Sequence, residues 1–237
     1  MTFVVCNSKF LIADKRSGTT SGVGTKNDGK KPGLSNRKAF RDDSVKIIVP
    51  DKKIFTCRHT DKKFDPNEYI VAMAMSGSYR GPVNHPVSIL MELGNMQAYQ
   101  TMLQNSVFSN YDFSLSALLS NGEVAFLSKD SKSENNDWRL DVYADDVKQD
   151  LPCLVQHGSG TVDTHIKDLY GAGDISLLEL FFYGAHMSEH CSTDYSVYSL
   201  EHNHLYGTII PSADEVKAAI DKIHKLLEFK DLKQHYR

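Results

Sequence analysis

The chain has 237 residues, enough to bury one complete hydrophobic core, and no shift in composition divides it, which predicts a single domain over 1–237. Its 27 basic and 30 acidic side chains leave a net charge of -3 at pH 7. This balance argues against the basic surfaces that bind nucleic acid or anionic membranes. The first apolar stretch is too short to span a bilayer and lacks the basic flank of a signal peptide, so we expect a cytoplasmic protein.

The four cysteines are widely spaced and lie in or beside apolar runs, at Cys6, Cys57, Cys153 and Cys191. The sequence contains no CxxC pair, which is the usual start of a metal or redox site. We therefore expect reduced core cysteines, no bound metal and no cofactor.

The chain begins with patterns typical of β-strands. Phe3 to Cys6 and Phe10 to Ala13 are apolar runs on either side of a polar turn, which predicts a β-hairpin. Residues 17–43 are rich in Gly, Ser, Thr, Lys and Asn and have few apolar anchors, so we expect a flexible insertion there. Residues 45–49 and 54–57 then predict a second hairpin across Pro50 and the charged residues that follow it.

The middle of the chain alternates between strand and helix patterns. A strand pattern at Ile70 to Met75 is followed by apolar residues spaced three and four apart between Pro86 and Leu103, which predicts one helix. Asn121-Gly122 is a strong hairpin signal because both residues tolerate a positive φ. Further strand-like runs lie at 113–119, 124–127, 138–143 and 151–155.

The last third of the chain predicts two adjacent helices, two strands and a terminal helix. The first helical pattern ends at Tyr170, and a capping box of Ser176 and Glu179 opens a second helix toward His190. The remaining elements are two strands and an amphipathic helix, at 195–200, 205–210 and 212–229. Helices grouped between runs of antiparallel strands predict a layered sandwich and not a parallel βαβ sheet.

Five short patches stand out against this order of elements: Thr2, Ala13-Asp14-Lys15-Arg16, Val45-Lys46-Ile47-Ile48-Val49, Ala74-Met75-Ser76-Gly77 and Gly158-Ser159-Gly160. Together they resemble the proteasome β subunit, the related bacterial two-component protease and Anbu, which are N-terminal-nucleophile (Ntn) hydrolases. The resemblance implies an α/β layered fold, the αββα sandwich of two mainly antiparallel sheets covered by helices. It also implies a threonine-type peptidase or amidohydrolase.

The resemblance assigns a role to each patch. Thr2 stands at the nucleophile, Asp14 and Lys46 at the aspartate and lysine beside it, and Ser159 at the serine that supports the terminal amine. The backbone N–H groups of Ala74 or Gly77 stand at the oxyanion hole.

These residue types suit one another chemically. A threonine hydroxyl needs an adjacent base, here the free α-amine, whose pKa of about 8 suits proton transfer. A neighbouring lysine lowers the pKa of the hydroxyl.

The sequence also departs from the family pattern. The hairpin between Thr2 and Asp14 is shorter, and Lys46 follows an insertion. The carboxylate that the family has after its fourth helix has no clean match, and Glu189 or Asp194 are the candidates to replace it. Three functions therefore stay open. The first is an active hydrolase that cleaves peptide or protein substrates, and the second is an Ntn-fold amidohydrolase acting on a small molecule. The third is an inactive proteasome-like subunit with a structural or interaction role. The resemblance implies a homo-oligomer, a ring or a dimer, and is compatible with an ATPase partner.

A competing motif lies at His186-Met187-Ser188-Glu189-His190. It matches H-x-x-E-H, in which two histidines one helical turn apart bind zinc and the glutamate activates water. The motif is short, and solvated histidines at a helix end are the simpler explanation. We therefore predict no tightly bound zinc there.

Overall fold

The computed structural model describes residues 2–19, 39–41, 46–56, 68–79, 86–105, 108, 111–129, 137–158, 160, 162–188 and 190–235. Twelve strands lie within these residues: β1 (Phe3–Cys6), β2 (Phe10–Asp14), β3 (Ser17–Thr19), β4 (Ala39–Arg41), β5 (Ile47–Ile48), β6 (Ile70–Tyr79), β7 (Tyr111–Leu119), β8 (Val124–Lys129), β9 (Trp138–Tyr143), β10 (Val155–Gly158), β11 (Tyr195–Ser199) and β12 (His204–Ile209). Five helices accompany them: α1 (Pro86–Leu93), α2 (Met96–Leu103), α3 (Thr164–Gly171), α4 (Leu177–His186) and α5 (Ala213–His235).

The strands form two five-stranded sheets and a small ribbon. The first sheet has the order β10-β1-β2-β11-β12, and the second has the order β5-β6-β7-β8-β9. All of these neighbouring strands pair antiparallel. The ribbon pairs β3 with β4. The N-terminal strand is therefore central in its sheet, between β10 and β2.

The two sheets bury a common apolar layer. Side chains of a strand alternate between its two faces, so Val4 and Cys6 point to one side of β1 and Phe3 and Val5 to the other. Val4 and Cys6 belong to a core cluster that joins both sheets, with Leu11, Ala13, Ile47, Ala72, Ala74, Leu118, Val124, Val155 and Tyr198. The sheets are therefore stacked face to face.

Helices cover the two outer faces of this sandwich. Phe3 and Val5 lie in a cluster with residues of α3, α4 and α5, among them Ile166, Phe181 and Ile223. On the other side, the second sheet packs against α1 and α2 through residues such as Met73, Leu90, Tyr99 and Leu115. The predicted αββα sandwich of two antiparallel sheets between helical layers is confirmed. No helix in the described part of the chain is both long and apolar enough to cross a membrane.

Several local predictions are also confirmed. The first hairpin pairs Val5 with Ile12, and the Asn121-Gly122 turn joins β7 to β8 with Gly122 at a φ of +83°. The capping box is complete, because Ser176 and Glu179 each accept a hydrogen bond from the other residue's backbone N–H. These signals are local, which is why the sequence reveals them.

The predicted second hairpin is wrong. Among the described residues, Ile47 and Ile48 pair with β6 and not with residues 54–56. Phe55 instead forms isolated bridges to Tyr69 and Asn95, and Cys57 lies outside the described residues. The long apolar strand β6 offers a ten-residue partner, which is a better match for β5 than the short run after Pro50.

Three further elements differ from their predictions. The predicted helix from Pro86 to Leu103 is two helices, because Gly94 takes a φ of +63° and Asn95 caps α2 through its side chain. The strand predicted at 151–155 begins only at Val155, where the chain joins β1. The ends of the predicted insertion at 17–43 form the β3–β4 ribbon, whereas 20–38 and 42–45 lie outside the described residues.

Candidate active site

A buried ion pair joins the two sheets near the start of the chain. The ammonium of Lys46 donates to Oδ1 of Asp14 at 2.7 Å and also to the carbonyl oxygen of Arg16. The side chain of Asp14 is fully buried and that of Lys46 is 8% exposed. Asp14 ends β2 in the first sheet, and Lys46 directly precedes β5 in the second. Two residues 32 positions apart thus meet at the interface between the sheets.

Asp14 also holds three backbone groups. Its Oδ1 accepts from the N–H of Phe3 at 2.8 Å. Its Oδ2 accepts from the N–H of Arg16 at 3.1 Å and from that of Ser192 at 3.3 Å. The carboxylate therefore connects the N-terminal strand, its own strand end and the segment that leads into β11. The bond to Phe3 puts Thr2 one residue from the ion pair.

Burial acts against the charged form of this carboxyl group. Burial raises the pKa of Asp14 above its usual range, and the Lys46 charge and hydrogen bond are the main opposing effect, followed by the N–H groups of Phe3 and Ser192. A buried carboxylate is costly unless it is paired and hydrogen-bonded. Lys46 is therefore the group that most favours the ionised form of Asp14.

Thr2 lies against a glycine turn. Phe3 pairs with Gly158 across β1 and β10. Gly158 has a φ of +100°, and a Cβ placed on it would lie 1.7 Å from the carbonyl oxygen of Thr2. A Cβ on Gly160 would lie 2.2 Å from the ring of Phe3. Only glycine allows so close an approach, so Gly158 and Gly160 both lie directly against the N-terminal strand. Ser159 between them lies outside the described residues.

The two candidate oxyanion donors occupy different surroundings. Ala74 is buried inside β6, with Ile47 of β5 on one side and Ser116 of β7 on the other. Gly77 lies three residues further along β6, is exposed, and has a φ of +112°. A Cβ there would lie 2.4 Å from the carbonyl oxygen of Asp112. Strands flank Ala74 on both sides, so Gly77 is the better placed of the two to direct an N–H toward a ligand.

One residue that contacts Asp14 was not predicted from the sequence. Ser192 donates its N–H to Asp14, and its hydroxyl accepts from the N–H of Asp194. Asp194, one of the two candidate carboxylates, accepts from Lys15 through its carbonyl oxygen at 2.9 Å. Glu189, the other candidate, lies outside the described residues. No local pattern marks Ser192, because its contact with Asp14 spans 178 positions.

The H-x-x-E-H segment does not have the helical geometry of a zinc motif. Helix α4 ends at His186, with Met187 as its C-cap, and His190 lies in the turn that follows. The two histidines are therefore not one helical turn apart on a single helix. Within the described residues, no three His, Cys, Asp or Glu side chains converge as a metal site. Cys191 beside them is buried, and that burial raises the pKa of its thiol.

Comparisons with known proteins bear on the fold. No protein-family model matches this chain, and no curated protein matches it. Among solved structures, the Anbu (Gly-1) mutant from Hyphomicrobium sp. strain MC1 is similar, with a TM-score of 0.52. The similarity covers 99% of this chain and 100% of that chain at 12% sequence identity. The chain therefore has the fold of the proteasome-like Ntn hydrolases that its sequence resembles.

Proposed function

We propose that this protein is a threonine-type Ntn hydrolase that cleaves peptide or other amide bonds through Thr2. The observation that carries the proposal is the buried Lys46–Asp14 ion pair at 2.7 Å, with Asp14 also bound to the N–H of the residue after Thr2. Such a pair supplies a positive charge beside a hydroxyl that needs a lowered pKa. The structural likeness to Anbu supports the fold on which this chemistry depends.

The proposed reaction begins with proton transfer from the Thr2 hydroxyl to its own α-amine. The oxygen then attacks the amide carbonyl, and the backbone N–H of Gly77, or that of Ala74, stabilises the oxyanion. Lys46 stabilises the developing alkoxide, Asp14 fixes Lys46, and Ser159 supports the amine. The α-ammonium returns the proton to the leaving amine, which yields an ester on Thr2. Water activated by the same α-amine then hydrolyses that ester.

The mechanism requires Thr2 to be the first residue of the mature protein. Intact mass and N-terminal sequencing of purified protein check whether Met1 is removed. A peptidyl vinyl sulfone then tests the nucleophile, because an activated hydroxyl adds to it covalently. We expect a mass increase of one adduct per chain, which Thr2→Ala abolishes and Thr2→Ser retains. A mature chain that keeps Met1, or an adduct that survives Thr2→Ala, contradicts the proposal.

The wider setting of this activity is also proposed. The chain would act as a single domain in a cytoplasmic homo-oligomer, either a ring or a dimer, with a peptide or protein substrate and an ATPase partner. Light scattering coupled to size-exclusion chromatography measures the assembly. Turnover of an unfolded protein compared with that of a small amide separates the protease from a small-molecule amidohydrolase.

A second candidate function is a catalytically inactive subunit with a structural role. The three backbone bonds of Asp14 favour it, because they fasten β1, β2 and the start of β11 whether or not catalysis occurs. This candidate predicts no adduct in the wild-type protein, together with loss of stability or assembly in an Asp14→Asn variant.

A further inference from the structure

A polar bridge crosses the apolar layer between the two sheets. His157 of β10 lies with Nδ1 2.5 Å from Oγ of Ser76 in β6 and with Nε2 2.9 Å from Oγ of Ser116 in β7. His157, Ser76 and Ser116 are 8%, 4% and 0% exposed. The ring of Phe126 covers the imidazole, with centroids 5.6 Å apart. Three buried polar side chains from three strands thus form one connected group.

The bridge satisfies its own hydrogen-bonding needs. A neutral imidazole has one donor and one acceptor nitrogen, and each serine hydroxyl can donate or accept. Both hydrogen bonds of the imidazole can therefore form in either tautomer. Burial lowers the pKa of His157 to about 3. The imidazole is therefore neutral at physiological pH and cannot carry protons for the reaction. Its two hydrogen bonds hold the strands in place.

The position of the bridge connects it to the candidate active site. His157 directly precedes Gly158, whose backbone lies against the carbonyl oxygen of Thr2. Ser76 directly precedes Gly77, the better placed oxyanion donor. The hydrogen bond between His157 and Ser76 therefore joins the residue before Gly158 to the residue before Gly77, across 81 positions of sequence.

The site needs such a connection because it spans both sheets. Thr2 directly precedes β1 and Asp14 ends β2 in the first sheet, whereas Lys46 directly precedes β5 and Gly77 lies in β6 of the second. The core cluster that joins the sheets is apolar, with side chains such as Val4 and Ala72, and the Asp14–Lys46 ion pair is a second polar connection between them. Apolar burial is not directional, so it favours contact between the sheets without fixing their relative position closely. Hydrogen bonds have strict distance and angle requirements and do fix it.

We propose that His157 is a positioning residue that sets the distance between the Thr2 nucleophile and the Gly77 oxyanion donor by tying β10 to β6 and β7. This inference rests on the proposed function, because it assigns the bridge a role in that reaction. It assigns no chemical step to His157, Ser76 or Ser116.

The decisive variant removes every polar atom of the bridge at once. In a His157→Phe, Ser76→Ala, Ser116→Ala triple variant no buried polar side chain is left unsatisfied, so stability changes little. The two hydrogen bonds that fix β10 relative to β6 and β7 are nevertheless lost. We expect a melting temperature near that of the wild type, a maximal rate of vinyl sulfone labelling at Thr2 about tenfold or more lower, and an unchanged half-saturating reagent concentration.

A milder variant covers the case in which the triple variant does not fold. Ser76→Ala removes only the bond to the strand of Gly77. Its matched control is Ser199→Ala, which removes another contact between a buried serine and a histidine, the 3.2 Å contact of Ser199 Oγ with His202 Nδ1 in the turn after β11. We expect severalfold slower labelling for Ser76→Ala and unchanged labelling for Ser199→Ala. Equal labelling rates in the two variants overturn the proposal.

Amide hydrogen exchange separates this inference from the proposed function. Wild-type protein that gives no adduct defeats the hydrolase proposal, and the bridge is then judged by exchange alone. Faster exchange at the Gly77 and Gly158 amides in the triple variant supports a structural link between these two positions. Unchanged exchange at both amides, or wild-type labelling by a folded triple variant, shows that the bridge does not position the site.

Discussion

At the scale of single residues, the molecule depends on a few polar groups buried between apolar layers. Asp14 and Lys46 form a paired charge with almost no exposure, and His157 forms a neutral group with two serine partners. Both arrangements carry the cost of desolvation and offset it with complete hydrogen bonding. They differ in their response to the loss of a partner, because one contains charges and the other does not.

Removal of Lys46 leaves a buried carboxylate without its cation. We expect Lys46→Met to destabilise the fold by about 3–5 kcal/mol, the usual cost of breaking a buried ion pair. It should also raise the pKa of Asp14 further and slow labelling of Thr2 by at least about 10²-fold. Urea denaturation measures the first effect and mass spectrometry the second. The control is Lys217→Met, because its exposed pair with Asp221 should contribute nothing measurable. Equal stability of the two variants contradicts this account.

Acidification tests the burial of His157. The folded protein holds this imidazole neutral down to a pKa of about 3, whereas the unfolded chain takes up the proton near the ordinary value of 6.5. The neutral His157 therefore makes its full contribution to the free energy of unfolding above about pH 6.5. This contribution is lost as the pH falls toward 3, by up to about 1.4 kcal/mol per pH unit. In His157→Gln the urea midpoint should fall less between pH 7 and pH 4.5 than in the wild type. Parallel pH profiles would contradict the assignment.

At the scale of elements, turns and caps decide where helices and strands end. Gly94 and Asn95 divide the predicted helix into α1 and α2, because a residue with positive φ ends a helix and an asparagine side chain begins the next. Asn95 accepts from the N–H of Ala98 at 2.8 Å. The sequence does contain this Gly-Asn break signal. The three-and-four spacing of apolar residues continues across it, however, and therefore predicts a single helix.

The Gly94 turn gives a prediction about backbone strain alone. A Cβ at Gly94 would meet only the carbonyl oxygen of Lys53, at 4.0 Å, so a side chain has room there. We expect Gly94→Ala to cost about 1 kcal/mol, because alanine disfavours the left-handed conformation. Chemical denaturation measures this loss. Gly207→Ala is the control, since a Cβ there meets nothing within 4 Å and its φ is not positive. A Gly94→Ala variant as stable as this control would show that the turn can relax.

At the scale of the whole molecule, the inner layer of the sandwich sets the spacing of the candidate site. Ala72 and Ala74 are small side chains in that layer and are 0% and 1% exposed. Small residues let the two sheets approach closely enough for Lys46 to reach Asp14.

An enlarged inner layer should therefore affect both stability and labelling. We expect Ala72→Leu to cost about 1–3 kcal/mol by overpacking and to slow the reaction of Thr2, since the sheets must move apart. Ala98→Leu adds the same atoms to an exposed position of α2 and should change neither quantity. Melting curves and vinyl sulfone labelling test both variants. If Ala72→Leu loses stability but labels Thr2 at the wild-type rate, the spacing of the sheets does not control the site.

The sequence by itself determined the elements whose causes lie within a few residues. Continuous apolar runs define β1 and β2, and Ser176 with Glu179 defines the start of α4. The order of these elements and the five short patches also led to the sandwich and to Asp14 with Lys46, which the structure brings together.

The tertiary structure decided everything that depends on distant partners. β5 pairs with β6 and not with the described residues 54–56, because a long strand lies beside it. His157 meets Ser76 and Ser116 over 81 and 41 positions, and Ser192 meets Asp14 over 178. A lone histidine or serine in an apolar run has no local signature, because its role depends on which side chain the packed sheets place against it.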